Sequence, residues 1–292
     1  MRFEFMTTSE AYDYTIDFLC ENLKVSKSGF YKWKKERGRR MEKKHREYEL
    51  VRKIEAIHLG SQRVYGSPRI HGILSGTDPD VSLSKVERLM KSNDIRSKTK
   101  KKFKATTDSN HNLKIVPNHL MQDFTAQRPD QVWVSDITFV PTKEGPLYLC
   151  TVLDAFSRKI VGWTLESNMR ADMVKRAIEK AYKTREAADY LIFHSDRGVQ
   201  YASNLVRDFL ESRKAIRSMS RRANCWDNAL MESFYGRFKV EHMFWESYST
   251  HEEARRKIFE WIEIEYNRKR AHTALGNVRP SQFEEGKVAK AA

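Results

Sequence analysis

Cysteine is scarce: the 292 residues contain three, Cys20, Cys150 and Cys225. An odd, widely spaced set supplies no disulfide framework and no Cys-x-x-Cys pair, so the chain is expected to be reduced and intracellular. His111 and His119 have no paired cysteines near them, which argues against a structural zinc site. No apolar run approaches the ~18 residues of a membrane span, and no early segment reads as a signal peptide. No internal repeat and no sustained heptad run is present. Negative charge is also in short supply. Asp and Glu number 39 against 54 Lys and Arg, a formal net charge of +15. Such a balance points to a polyanionic partner, because each neutralised phosphate releases a condensed counterion.

What is present suffices for a core. Hydrophobic residues make up 40% of the chain, with six Trp and fifteen Phe. The length suggests two or three domains. The positive charge is uneven: residues 1–124 hold 26 basic and 16 acidic residues, a net of +10 against +5 for the remainder. The front half is therefore the expected nucleic-acid clamp.

Residues 1–41 read as a helix over Glu10–Leu23, a turn at Lys24-Val25-Ser26, and a basic aromatic helix started by Ser26. This pattern suits a helix-turn-helix and suits a plain helical hairpin equally. Residues 42–95 read as a second helical, helix-turn-helix-like domain. It comprises a charged helix, a short helix with Ser67 as N-cap and Pro68 at its first position, and an amphipathic helix over SLSKVERLMKSNDI. Lys85, Arg88 and Lys91 share one face of that last helix, as DNA contacts or as a solvated face. Residues 96–129 open with RSKTKKKFK and read as a basic linker.

From Asp130 to Glu285 the pattern changes, and residues 286–292 form a tail. QVWVSDITFV, GPLYLCTVLDAF and KIVGWTL read as three strands. A helix over RADMVKRAIEKAYKT, a strand at YLIF, a helix over NLVRDFLESR and a strand at IRSMS follow. A long helix over ALMESFYGRFKVEHMF and a final helix from His251 complete the set. A meander followed by strand–helix alternation predicts an α/β class with a mixed five-stranded sheet flanked by helices.

Three carboxylates stand out. Asp136 interrupts the first strand, where an unpaired buried charge is costly. Asp196 follows the fourth strand, which a crossover places beside the first. Glu232 opens the long helix, with thirty-five residues separating it from Asp196. Taken singly, each has an ordinary structural reading. Converging, they would repel one another unless divalent cations intervened, and oxygen-only ligands select Mg²⁺ or Mn²⁺. Two such ions, about 3.5–4 Å apart, serve phosphodiester chemistry.

VWVSDITFV, LDAFSRKIVGW, FHSDRGVQY, SMSRRANCWDNALMESFYGRFKVE and YNRKRAHTALGNVRPSQF together closely resemble the catalytic subunits of insertion-sequence transposases of the IS-three family. These are relatives of retroviral integrases with an RNase H-like core. The resemblance spans roughly Ser61 to Phe283. It implies that Asp136, Asp196 and Glu232 are the DDE metal ligands for two Mg²⁺ ions, with Mn²⁺ able to substitute. It implies a DNA-contacting base at Lys239, two helical turns beyond Glu232. Arg221, Arg222, Trp226 and Asn228 line the loop before Glu232 and are candidates for phosphate contact or base stacking, although Trp226 would serve equally as a loop anchor. Arg268 and Arg270 offer further DNA contacts, while Asp154, Arg158 and His194 read as structural. The implied partners are the element's terminal inverted repeats, target DNA, and a second copy of the chain or more on DNA. Family members also act as fusions with an upstream frame carrying a helix-turn-helix and leucine zipper. Ala223 departs from the family's usual glycine and would stiffen the loop. The expected location is the bacterial cytoplasm, at the nucleoid. A related nuclease that cuts without joining, and an inactive sequence-specific DNA-binding protein, are the other classes compatible with the composition.

Overall fold

Thr15 and Ser26 set the start of the N-terminal helices. In the computed structural model, which describes residues 2–98, 115–185, 187, 189–222 and 224–291, a one-turn helix α1 (Arg2–Phe5) precedes α2 (Ile16–Leu23). Thr15 Oγ1 accepts from Phe18 N, Lys24 ends α2 in a left-handed conformation, and Ser26 Oγ accepts from Gly29 N to open α3 (Lys27–Gly60). Phe30 of α3 packs with Met6, Ala11, Leu19 and Cys20 in a small core.

The sequence pattern separates two helices near residue 41, whereas α3 runs unbroken for 34 residues. RGRRMEKKHRE contains no proline, and its Lys, Arg and Glu residues are good helix formers. Its lack of an apolar stripe marks a solvated span, not a break. The far end of α3 contributes Leu50 and Ile54 to a second core with α4 (Ser67–Leu74) and α5 (Leu83–Ser92). Ser82 caps α5 as its sequence implies, but α4 starts one residue earlier than expected: Gly66 is the N-cap, Ser67 is helical, and no side-chain cap forms. The basic run 99–114 of the expected linker, and Ala223, lie outside the described residues.

The sheet has the order β3-β2-β1-β4-β5. Its strands are β1 (Val132–Val140), β2 (Leu147–Asp154), β3 (Ile160–Glu166), β4 (Ile192–Ser195) and β5 (Ile216–Met219). β1, β2 and β3 form an antiparallel meander, and β4 pairs parallel with both β1 and β5. β4 begins two residues later than the YLIF run suggests. Tyr190 has φ 66°, which a strand cannot accommodate.

Strand alternation divides the core into two layers. Val132 and Val134 of β1 face α9 (Ala229–Glu241) and α10 (His251–Phe259), beside Phe234, Phe238 and Ile258. Trp133 faces the opposite layer, with Met173 and Ala177 of α6 (Ala171–Thr184). The short α7 (Val199–Ala202) and α8 (Asn204–Ser212) complete that second layer. Gly162 is where α6 lies directly on β3; an added Cβ would collide with the Ala177 carbonyl and Ala181. α10 continues as a wider π-helical segment, Glu260–Lys269, and α11 (Pro280–Ala291) follows. Among the described residues no helix is long and apolar enough to cross a membrane.

The helical front and the sheet domain are joined by a buried ion cluster. Arg270 Nε and Nη2 donate to Glu241 Oε2 and Oε1 at 2.6 and 2.7 Å, and Arg69 Nη1 of α4 lies 3.3 Å from Oε1. Beside them, Ala271 N donates to the Tyr65 hydroxyl at 2.9 Å.

Candidate active site

Asp136 and Asp196 occupy equivalent places on neighbouring parallel strands. The β1–β4 register ends at Ser135 opposite Ser195. Each aspartate is the next residue along, Asp136 within β1 and Asp196 just past the end of β4. Alternation puts Asp136 on the face shared by Val132 and Val134, which is the face covered by α9. Glu232 lies in the first turn of α9. Sheet pairing thus sets the two aspartates side by side, and α9, packed on the face that bears Asp136, carries the third carboxylate.

Tyr235, three residues beyond Glu232, fixes that helix in place. Its hydroxyl lies 2.7 Å from the Asp136 carbonyl oxygen and 2.9 Å from that of Leu149, and it accepts from Thr151 Oγ1 at 2.9 Å. On the other face of β1, Ser135 Oγ meets the Tyr201 hydroxyl at 2.8 Å. Neither tyrosine belongs to the motif-based expectation. Tyr235 had a signal, since i and i+3 share a helix face; Tyr201 had none.

The electrostatics follow from this crowding. Asp136 keeps some exposed surface but is densely surrounded, and its carboxyl is pushed up to about 8. Burial is the chief cause, followed by the negative charges of Asp196 and then Glu232; a bond from Ile137 N–H and the charge of Lys239 oppose it. Burial also raises Glu232, which remains exposed at the helix start, and lowers Lys239, whose charge is sustained by Asp136. Asp196 Oδ1 accepts from Gly198 N at 2.9 Å. Among the described residues no three carboxylate, imidazole or thiolate side chains stand close enough to hold one ion together. Asp196 acts on Asp136 more strongly than Glu232 does, so the aspartate pair is the tighter part of the trio.

The expected DNA contacts divide. Trp226 is 68% exposed, and Arg222, Arg268 and Lys91 are also exposed. Lys85 is half-buried, and Arg88 pairs with Glu47 of α3 at 2.6 Å. Arg221 forks onto buried Asp227 through Nε and Nη2 at 2.9 and 2.8 Å while keeping part of its surface open. Arg221 first among its neighbours holds the Asp227 carboxyl well below the usual carboxylate range. Two residues are corrected. Arg270 is buried and committed to Glu241, so it is an internal ion-pair member, not a surface contact. Asn228 is buried, its Nδ2 3.5 Å from the Ser135 carbonyl, so it lies beneath the loop and not on its outer side.

The residues read as structural have structural partners. Asp154 is fully buried and accepts from Asp130 N, Ser157 N and Ser157 Oγ. His194 lies 2.8 Å from both Ser218 Oγ and the Asp227 carbonyl oxygen, and burial lowers it to about 4, so it is neutral at physiological pH.

A mixed sheet of this order, with two aspartates on adjacent parallel strands under a glutamate-bearing helix, defines an integrase-type polynucleotidyl transferase. Integrase core domain models match residues 126–225 and 215–280, and an HTH-like domain model matches residues 45–103. Transposase InsF for insertion sequence IS3A of Escherichia coli (strain K12) is 33% identical over 289 residues, covering 99% of this chain and 100% of that protein. A 31 kDa protein of insertion element IS600 from Shigella sonnei is 38% identical over 267 residues, covering 91% and 97%. Among solved structures, the HTLV-2 integrase catalytic core domain in complex with magnesium is 15% identical, with a TM-score of 0.43 over 55% of this chain and 99% of that one. A simian T-cell lymphotropic virus intasome chain gives 14% identity and a TM-score of 0.47 over 79% and 74%. The chain belongs to the IS3 family of insertion-sequence transposases, and it is a DNA transposase of the DDE type.

Proposed function

We propose that Asp136, Asp196 and Glu232 are the catalytic residues and hold a pair of divalent cations, Mg²⁺ with Mn²⁺ able to substitute. The supporting observation is that β1–β4 pairing sets Asp136 and Asp196 side by side on the sheet while α9 carries Glu232 on the Asp136 face, a crowding that, with burial, pushes the Asp136 carboxyl up. A site of hard oxygen donors whose carboxylates crowd one another in this way fits a small divalent cation. When bound, the ions neutralise the carboxylates, activate the attacking oxygen and stabilise the leaving oxygen of a phosphodiester.

The chain's own groups do the rest. Tyr235 holds α9 against the middle of β1 and β2, so that Glu232 is carried on the same side of the sheet as Asp136. Lys239, facing the same cluster, receives a non-reacting phosphate oxygen of the strand being cut. Trp226 and Arg222, on the exposed side of the preceding loop, stack on unpaired bases and neutralise phosphate next to the cleavage point. Residues 42–95 supply duplex contacts through Lys85 and Lys91, and residues 130–285 supply the chemistry. Water attacks a phosphodiester at an element end and the 3′-oxygen leaves as a 3′-hydroxyl; that hydroxyl then attacks a target phosphodiester in line, forming a new P–O bond as the target strand's own 3′-oxygen leaves. Two ends must be joined together, so the working form is a homodimer or larger on DNA, acting at the nucleoid in the cytoplasm; an upstream-frame helix-turn-helix and leucine-zipper partner assists end recognition.

Incubation of the protein with a labelled terminal-repeat oligonucleotide and Mg²⁺ tests this reading. Joined product is expected. Cleaved product without joining would reduce the activity to that of a nuclease, and neither product would refute the assignment.

A further inference from the structure

A second site, in which four arginines and a histidine share the wall with Leu153, Leu230, Phe234 and Tyr266, lies on the neighbouring stripe of α9. A cavity of about 250 Å³ forms where four parts of the chain meet: Arg69 of α4, Arg158 of the β2–β3 turn, Ser233 and Arg237 of α9, and Arg270 with His272 beyond α10. Arg158 is held there by its backbone. It adopts φ 60°, its N–H donates to the Asp154 carbonyl at 2.8 Å, and its own carbonyl accepts from the Tyr266 hydroxyl at 2.9 Å.

The polar groups of this cavity are under-satisfied. Arg158 Nη1, Arg69 Nε and His272 Nδ1 are buried and meet no hydrogen-bond partner among the described residues. Four guanidinium groups line the cavity, and Glu241, which ties Arg270 and Arg69, is the carboxylate that pairs with any of them. Arg158 and Arg237 form no direct ion pair among the described residues, although Arg237 acts on Glu241 and Asp154 on Arg158 through their charges. His272 reports the resulting field: burial, then Arg270, Arg158 and Arg69, push it down to about 4. Guanidinium groups in excess of the one carboxylate beside them, with buried N–H donors unmet, call for an anion. Forked guanidinium donors from several directions match the oxygens of a tetrahedral phosphate.

We propose that this cavity binds a phosphate group, and that its source is a backbone phosphate of the DNA strand running across α9. Ser233 and Arg237 form an i, i+4 stripe beside the stripe of Glu232 and Lys239. Ser233, Arg237 and Thr273 are exposed, so the mouth opens where a strand leaving the acidic site would pass. Because Arg69 belongs to the helical front and the other cations to the sheet domain, the bound phosphate would fasten the two together. The source of the phosphate rests on the transposase reading; the anion site itself does not.

Isothermal titration of the metal-free full chain with inorganic phosphate tests the site. The wild type is expected to bind one phosphate, with affinity weakened about tenfold in Arg158→Gln and in Arg237→Ala. Arg237 is exposed and forms no direct ion pair among the described residues, so its loss leaves the fold intact; Arg255→Ala, on the exposed face of α10, removes the same charge elsewhere and should change nothing. Equal phosphate binding by wild type and both variants, or no binding by the wild type, overturns the site. On DNA, Arg237→Ala should lower the slope of log affinity against log salt by about one. Phosphate affinity lost with an unchanged salt slope overturns the DNA source and leaves a site for free phosphate. Failure of the catalytic reading shows elsewhere, as metal-dependent product formed by Asp136→Asn.

Discussion

Replacing Asp136 by Asn should stabilise the metal-free protein while removing its activity. The unfolded chain releases the Asp136 proton near the ordinary aspartate value of 3.8, whereas the folded chain keeps it up to about 8. Stability is therefore lost as pH rises through that window, because the folded state must give up a proton it holds more tightly. Each pKa unit corresponds to about 1.36 kcal/mol, and solvent reaching a partly exposed site screens the full span to roughly 2–3 kcal/mol. In a chain of this size that is about 4–10 °C in Tm. Thermal unfolding at pH 8 in a chelating buffer should show Asp136→Asn melting higher than wild type by that amount. The gap should shrink as pH falls toward 4. Mg²⁺ should then raise the wild type and leave the variant where it is. If the variant melts at or below the wild type at pH 8, the crowding of negative charge around Asp136 is not what the site contains.

Three further outcomes follow from particular contacts. Glu241→Gln strands Arg270 and weakens the joint between the helical front and the sheet domain, so denaturant unfolding should show a loss of about 3–5 kcal/mol. Burial pushes the Glu241 carboxyl up, but Arg270 and then Arg69 outweigh it and hold it below its ordinary value. That contribution is present at neutral pH and disappears as pH falls through the lowered value, so wild type and variant should converge in acid. Tyr235→Phe removes a hydroxyl shared by the Asp136 and Leu149 carbonyls and Thr151. About 1–2 kcal/mol of stability should go with it, and strand transfer should slow at unchanged DNA affinity; full activity would show that α9 needs no such tether. Lys239→Ala should reduce the salt slope of terminal-repeat binding by about one, whereas an unchanged slope would make Lys239 a partner of Asp136 alone.

Much of this architecture is legible in the sequence, and the reason is local. VWVSDITFV alternates with a period of two and is rich in β-branched and aromatic residues, so β1 and the odd placement of Asp136 within it are visible without coordinates. Asp196 and Glu232 are visible for the same reason, each at the edge of a strongly patterned element. The misreadings are non-local or lack a pattern. The charged middle of α3 has no apolar stripe to announce that the helix continues. Arg270 looks like a surface cation because its partner, Glu241, lies 29 residues away and meets it only through packing of α9 against the segment after α10. Asn228 looks like a loop residue on display, yet the turn into α9 folds it under β1. The cavity of arginines is invisible to pattern reading altogether, since its cations come from four segments with unrelated spacing.

The central claim concerns three side chains and the ions between them, and uptake of Mn²⁺ measures it most directly. Titration of the protein bound to terminal-repeat DNA, with free Mn²⁺ followed by electron paramagnetic resonance, should show two ions taken up per catalytic core. Uptake should fall in Asp136→Asn, in Asp196→Asn and in Glu232→Gln alike. Wild-type uptake by any one of the three would remove that residue from the site, and wild-type uptake by all three would contradict the account.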